Sequence, residues 1–401
     1  MNHKLPFSRS QFTNIIDEIS HLCESWLCQW HASSPYGVRE RIEYMHGFKC
    51  LVQTLIGLVI SPRLGNTKDV YIFEGLRNKK YMQAFDSSSV VIIGSHLEKK
   101  YADAHGYGFC WSFPIVSSIQ TNISRRWNFP AIRQLVRWTI KLSRFQRVIF
   151  FLYEDTQPLG LFFVHVGRLF ANKKITSVCI QHGYYAKTSY PIRNEGGLSD
   201  VNFVWDLNQI DLIGANKEKT YEIGLPYIAS AKQSNVLNII LVGNGMVGDG
   251  TDFFHRSLSA YLHVCNLLHH LPNISFFYRP HPIELANEKT LCYLRSKFTL
   301  IDQKDKVELL NGQKSIFIGS ISTLLYEAGI AGHLIVHLNL GDGIPAFKFD
   351  FEFNENEAGK LLEWVLSIRD NINVPNKSLN IPHVTPLDRF NYALRNAGLV
   401  D

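Results

Sequence analysis

Apolar runs and helical patterns alternate along most of the 401-residue chain. The runs "DVYIF" (69–73), "SVVIIGS" (89–95), "RVIFFLY" (147–153), "ITSVCI" (175–180) and "VNFVW" (201–205) come first. Then follow "NIILVG" (238–243), "ISFFY" (274–278), "FTLID" (298–302), "SIFIGS" (315–320) and "HLIVHLN" (333–339). Their β-branched and aromatic residues stand at consecutive positions, which predicts strands covered on both faces, and the helical segments between them predict right-handed βαβ crossovers. The fold class is therefore α/β. Ten strands are many for one open sheet, and the polar stretch "ASAKQSN" (229–235) separates the two groups. This divides the chain into an N-terminal domain over 1–230, a nucleotide-binding-type domain over 231–375, and a connector with a C-terminal helix ("PLDRFNYALRNAGLV") over 376–401.

The loop after "NIILVG" reads "GNGMVGDG" and contains a G-x-G-x-x-G at Gly243, Gly245 and Gly248. A dinucleotide fingerprint also needs a helix that opens at the glycines and a carboxylate about 20 residues on. Here glycine recurs at Gly250, and the first N-cap candidates are Thr251 and Asp252, ahead of Phe254, Leu258, Tyr261, Leu262, Cys265 and Leu268 at helical spacing. That helix starts too late. The next strand ends in Arg279-Pro280-His281-Pro282, cationic where a NAD enzyme places its acid. Such chemistry suits phosphate.

Composition narrows the classes. A hydrophobic share of 46% and a charged share of 19% describe a soluble globular protein. The net charge of +6 is mild and no nucleic-acid module accompanies it, so no nucleic-acid partner is expected. Seven scattered cysteines fit reduced thiols, and Cys23 and Cys28 have no second pair to complete a zinc site. The opening "MNHKLPFSRSQF" lacks a signal-peptide core, and the greasiest stretch, "LVQTLIGLVI" (51–60), falls short of the roughly 20 residues of a membrane span. A cytoplasmic protein without a transmembrane helix is expected.

In open α/β sheets ligands bind beyond the carboxyl ends of the strands. In the C-terminal half those positions hold Gly243, Asn244 and Gly245, then Arg279, His281 and Pro282, then Ser320, Ser322 and Thr323. The glycines can bring backbone N–H groups to an anion, Arg279 offers a planar fork of donors, and His281 adds another. Ser320, Ser322 and Thr323 open the helical segment that carries Glu327, and a helix N-terminus favours phosphate. Each feature also has a structural reading: ordinary N-caps, a rigid turn between prolines, turn glycines. Together they predict a phosphate-containing donor.

The segments "FYRPHP" and "IGSISTLLYEAGIAG" resemble the donor half of GT-B glycosyltransferases that build bacterial surface polysaccharides. In the sialyltransferases and Kdo transferases among them, His-Pro and Ser/Thr motifs hold a cytidine nucleotide; teichoic-acid glycerophosphotransferases carry a similar His-Pro. "VCIQHGYY" (178–185) resembles the Gln-His-Gly motif of capsule and O-antigen enzymes, and "YEIGLPYI" (221–228) resembles the segment leading into their second domain. The resemblance covers roughly residues 148–332 and implies a GT-B fold, two Rossmann-like domains facing across a cleft. It also implies transfer of a sugar from a nucleotide donor to a surface-glycan or undecaprenyl-linked acceptor. CMP-sialic acid is the sharpest donor, a UDP-sugar or other nucleotide-diphosphate sugar the alternative, and a non-catalytic glycan-assembly binding protein the competitor outside enzymes. Gln181, Gly183 and Tyr184 then fall to the acceptor side or its loop. The acidic motif of these sialyltransferases has its nearest match in Glu154-Asp155-Thr156, which lacks the glycine.

Glycosyl transfer needs a base for the acceptor hydroxyl and relief of charge on the leaving phosphate. Glu154 and Asp155 follow the strand "RVIFFLY", where a carboxylate pair can raise one pKa, and His182 is the rival base. A solvated helix cap and a loop-fixing histidine are the plainer readings. No D-x-D follows a strand in the C-terminal half, so metal-independent chemistry without a cofactor is expected. Finally, "AIRQLVRWTIKLSRFQR" puts Arg133, Arg137, Lys141 and Arg144 on one helical face and Leu135, Trp138, Leu142 and Phe145 on the other. Such a stripe is the solvated side of a packed helix, or else a surface for an anionic inner leaflet. The latter predicts peripheral association at the inner membrane face.

Overall fold

Most of the predicted strands appear in the computed structural model, buried on both faces. It describes residues 8–33, 47–170, 175–181, 183, 186–188, 197–213, 215–234, 236–245, 252–301, 305–320, 322–341, 343–345, 347–368 and 384–400. The chain forms two compact units, one from Met1–His182, Pro191–Pro226 and Leu387–Asp401, the other from Gly183–Tyr190 and Tyr227–Pro386. The changeover between Pro226 and Tyr227 thus precedes the polar stretch 229–235, and the C-terminal helix joins the first unit. Most of the expected connector, 369–383, lies outside the described residues.

The first unit holds β1 (Asp69–Glu74), β2 (Val90–Gly94), β3 (Gly108–Trp111), β4 (Arg147–Leu152), β5 (Ile175–Ile180), β7 (Val201–Val204) and β8 (Thr220–Glu222). They lie in the order β3-β2-β1-β4-β5-β7-β8, every neighbouring pair parallel. Its helices are α1 (Arg9–Ser33), α2 (Phe48–Gly57), α3 (His96–His105), α4 (Phe113–Arg125), α5 (Phe129–Leu142) and α6 (Pro158–Arg168). Proline stands in the first turn of α4, α5 and α6, where its missing N–H costs nothing, and Ser95 with Glu98 forms a capping box on α3. Leu135, Trp138, Leu142 and Phe145 are buried as the α5 periodicity requires, and Trp138 packs edge-on against Phe163 of α6 at 4.9 Å. The C-terminal helix α12 (Pro386–Asn396) buries Phe390 against Tyr81, rings 4.3 Å apart, and its Arg389 donates to the Leu225 carbonyl at 2.9 Å.

The second unit holds β9 (Leu237–Val242), β10 (Ile274–Arg279), β11 (Ser315–Gly319), β12 (Leu334–Asn339) and β14 (Phe351–Asn354) in the parallel order β10-β9-β11-β12-β14. An antiparallel ribbon pairs β6 (Ala186–Thr188) with β13 (Gly343–Pro345). Helices α7 (Phe253–Leu268), α8 (Pro282–Ala286), α9 (Glu288–Lys297), α10 (Thr323–Ala331) and α11 (Ala358–Ile368) belong to it, with a further short helix at Lys306–Leu310. As expected, α7 begins only after Asp252.

One expected strand fails. "FTLID" makes only an isolated bridge, Leu300 to Tyr278, because the next residue in position to donate to the Ile301 carbonyl is Pro280, which has no N–H; the Arg279 guanidinium donates to that carbonyl instead, at 2.5 Å. Among the described residues no helix is long and apolar enough to cross a membrane.

Each sheet reverses its strand order once, between β1 and β4 in the first and between β9 and β11 in the second. Ligand crevices in open α/β sheets form at such points, because the loops on either side run off in opposite directions.

Candidate active site

At the second sheet's reversal, the loop after β9 folds onto the loop after β10. Gly243 N–H donates to the Arg279 carbonyl at 2.9 Å. Gly245 is left-handed (φ +72°), and a Cβ there would overlap the His281 ring; a Cβ at Gly243 would overlap the Glu284 carboxylate. The glycines are therefore needed for close docking against "RPHPIE", a different job from a dinucleotide turn. Glu284 ties the loops together: it is fully buried and accepts from Gly245 N–H at 3.1 Å, His281 N–H at 2.9 Å and Tyr278 O–H at 3.0 Å. Burial pushes its pKa up, opposed by those hydrogen bonds.

His281 is the N-cap of α8. Its Nδ1 accepts from Ile283 N–H at 3.3 Å, so the ring proton resides on Nε2, and burial lowers its pKa. A neutral imidazole with a committed Nδ1 and a donor at Nε2 suits a phosphate oxygen. Pro282, in the first turn, is exposed. Arg279 gives one of its N–H donors to Ile301 and so is also a structural anchor. Asn244 donates to Ser257 Oγ at 3.4 Å.

Across the reversal, Ser322 caps α10 by accepting from Leu324 N–H at 3.3 Å. Ser320 is 1% exposed, and its Oγ has no hydrogen-bond partner among the described residues. An unpaired buried hydroxyl is costly, which makes it a place where a ligand oxygen can bind. Gly183 belongs to this unit, and a Cβ on it would lie 3.3 Å from Thr323 Oγ1. Glu327 is buried and paired with Lys306 at 2.7 Å. With that carboxylate, burial drives the Tyr227 hydroxyl pKa upward.

At the first sheet's reversal the expected carboxylate pair is replaced by another. Asp155, in the loop after β4, is fully buried, and its Oδ2 accepts from Leu198 N–H at 3.0 Å, Ser199 N–H at 2.8 Å and Ser199 Oγ at 2.9 Å. It holds the 197–199 loop. The partner of Glu154 is Glu74, at the end of β1, which accepts Tyr153 N–H at 3.2 Å. Burial, and then the Glu154 charge, raise the Glu74 pKa to about 8, opposed by that hydrogen bond and by Arg77. Arg77 lies 4.6 Å from the Tyr153 ring centroid. On the flanking loops, Asn78 Nδ2 and Thr156 Oγ1 are buried without a hydrogen-bond partner among the described residues.

Gln181 has a structural role as well: its Oε1 accepts from Trp205 N–H at 2.7 Å and its Nε2 donates to Gln209 at 3.3 Å. His182 and Tyr184 lie outside the described residues. The basic stripe is broken at Arg137, whose guanidinium donates to the carbonyls of Gly57 at 3.1 Å, Ile60 at 2.7 Å and Leu58. Among the described residues no group of three His, Cys, Asp or Glu side chains could hold a metal.

No family model matches the sequence, and no curated protein matches it either. Solved structures resemble it in fold. The Staphylococcus aureus MnaA–UDP co-structure superposes with a TM-score of 0.51 at 12% identity, covering 83% of this chain and 98% of that one. The Methanocaldococcus jannaschii UDP-GlcNAc 2-epimerase in complex with UDP-GlcNAc and UDP gives 0.49 at 12% identity, covering 82% and 99%. The glycosyltransferase of kitacinnamycin gives 0.46 at 11% identity, covering 84% and 98%. The chain has the GT-B fold. Within this GT-B chain, the loops predicted to meet phosphate lie at the reversal of the second sheet, and a buried carboxyl pair lies at the reversal of the first.

Two of these residues escaped the sequence reading. Glu284 had a usable signal, since His281-Pro-x-Glu284 has the spacing of a capping box with histidine as the cap. Glu74 had none, because its link to Glu154 exists only once β1 and β4 are neighbours.

Proposed function

We propose that the protein is a glycosyltransferase that moves a sugar from a nucleotide donor to a glycan acceptor, surface-exposed or lipid-linked. The observation that carries this reading is the polar constellation at the second sheet's reversal: Gly243 to Gly245 docked on His281, with the Nε2 donor of His281 and the unpartnered Ser320 Oγ on the flanking loops. These groups suit phosphate oxygens, and His281 and Arg279 are assigned to the charge that develops on the leaving phosphate. We assign the base to the carboxyl pair Glu74–Glu154. Glu74 holds its proton up to about pH 8, which leaves Glu154 to take the proton of the acceptor hydroxyl. The acceptor oxygen then bonds to the anomeric carbon as the bond to phosphate breaks, and the nucleotide departs. Asn78 Nδ2 and Thr156 Oγ1 are assigned to sugar hydroxyls.

For the donor, the structural neighbour solved with UDP supports a UDP-sugar, whereas the His-Pro and Ser/Thr motifs support a CMP-sugar such as CMP-sialic acid. A thermal-shift series with CMP, CDP, UDP, GDP and dTDP decides, since a ligand that binds only the native state stabilises it by mass action. One nucleotide is expected to raise Tm, and the corresponding sugar donor to be turned over. Binding with no turnover of any sugar of that nucleotide would make the protein a glycan-assembly binder; no shift with any of the five removes the reading.

A further inference from the structure

Helix α2 is built inside out. Its buried residues are the small or polar Cys50, Thr54 and Gly57. They lie against α4, where Thr54 and Thr121 share a 2.8 Å hydroxyl–hydroxyl bond and a Cβ on Gly57 would sit 3.1 Å from Pro114 Cα. The opposite stripe carries Phe48, Leu55 and, in the turn that follows, Val59, with Ile56 beside them; Phe48 and Val59 are each 78% exposed. Packed helices do the reverse, and clustered exposed apolar side chains mark a surface that something covers.

The charge around this stripe identifies the partner. Segments 44–68 and 104–153, which contain α2, α4 and α5, hold ten Lys and Arg residues and no Asp or Glu. Arg137 pins the end of α2 to α5, and one turn to either side along α5 stand Arg133, exposed, and Lys141. Arg144 is exposed a further turn on. Lys141 and Val59 line one cavity of about 900 Å³ with Arg63; the carboxylate on that lining, Asp103, is paired with Lys99 at 2.6 Å. A soluble partner has a rim of mixed charge to match, whereas an apolar stripe edged by an excess of cations, its nearby carboxylates Asp103 and Glu24 being paired with Lys99 and Arg126, matches acyl chains beneath anionic headgroups.

We propose that the α2–α5 face docks onto an anionic lipid bilayer, with Phe48, Leu55, Ile56 and Val59 entering the headgroup–acyl boundary and Arg133, Lys141 and Arg144 meeting lipid phosphates. The proposal is independent of sugar transfer and of any bound nucleotide. The test is sedimentation of the full chain with vesicles of phosphatidylcholine alone or of an equal mixture with phosphatidylglycerol. Wild type is expected to bind the mixed vesicles about tenfold more tightly and to be released as salt rises. Phe48→Ser with Val59→Ser, both exposed sites, is expected to weaken that binding about tenfold with Tm unchanged, and Arg133→Gln with Arg144→Gln to erase the preference for anionic lipid. Val59→Trp gives a second readout, a blue shift of fluorescence on adding mixed vesicles. The proposal is overturned by absent wild-type binding, by equal binding to both vesicle types, or by binding that survives the Phe48 and Val59 changes. A dimer that those changes dissolve would assign the face to a second copy instead.

Discussion

Glu284, itself fully buried, accepts the backbone N–H of Gly245 across two loops at 3.1 Å. One carboxylate thereby fixes the glycine loop and the histidine cap together. Glu284→Ala leaves the buried Tyr278 hydroxyl and two partly buried backbone N–H groups unpaired, so a loss of at least the roughly 1–3 kcal/mol of one buried orphan donor is expected in urea denaturation. Glu284→Gln keeps the shape and is expected to recover much of that stability. A Glu284→Ala protein as stable as wild type would show that the bridge does not organise the site.

His281 has two separable tasks, the cap through Nδ1 and the proposed donor through Nε2. His281→Asn retains a cap and loses the donor. Stability within about 0.5 kcal/mol of wild type is expected, with nucleotide affinity weaker by roughly 10- to 100-fold, the equivalent of one charge-assisted hydrogen bond. Isothermal titration against the nucleotide found by thermal shift measures it. Unchanged affinity would confine His281 to its cap.

The α/β class was legible because strands covered on both faces leave continuous apolar runs, as in "RVIFFLY" and "SIFIGS". The short β3, "GFCW", and β14, "FEFN", left no such trace, since a glycine or a glutamate interrupts a run of only four residues. The second-unit loops were legible for a local reason too: the glycines follow β9 directly, Arg279 ends β10 and His281 stands two residues beyond it. What depends on strand order was hidden. Glu154 and Asp155 are adjacent in sequence, yet Asp155 is committed to the 197–199 loop, while Glu74 and Glu154 are 80 positions apart and become neighbours through the pairing of β1 with β4. Arg137 shows the same limit on a helix, because periodicity gives its face but not the α2 carbonyls that await it there.

Asp155 and Glu154 should therefore separate by readout. Asp155→Asn weakens the acceptor for Leu198, Ser199 N–H and Ser199 Oγ, and a loss of about 1–3 kcal/mol in stability is expected. Glu154→Gln should leave stability near wild type and donor affinity intact while turnover falls by roughly 10²- to 10⁴-fold. If Glu154→Gln retains turnover within a few-fold at saturating donor and acceptor, the base lies elsewhere, with His182 next to test.

Glu74 makes the stability of the first unit depend on pH in a direction opposite to most carboxylates. Its folded-state pKa is raised from 4.5 to about 8, so in this window the native state holds a proton that the unfolded chain has released. The contribution is fully present below about pH 4.5 and is lost as pH rises through about 8, at up to about 1.4 kcal/mol per pH unit for a group this buried. Glu74→Gln is neutral throughout and cannot lose it. Urea denaturation at about pH 5 and about pH 8 should show wild type and Glu74→Gln close together at the lower pH, and the variant the more stable at the higher. A constant difference between the two proteins across that range would mean that Glu74 is already ionised when folded, and it would remove the protonated partner assigned to Glu154.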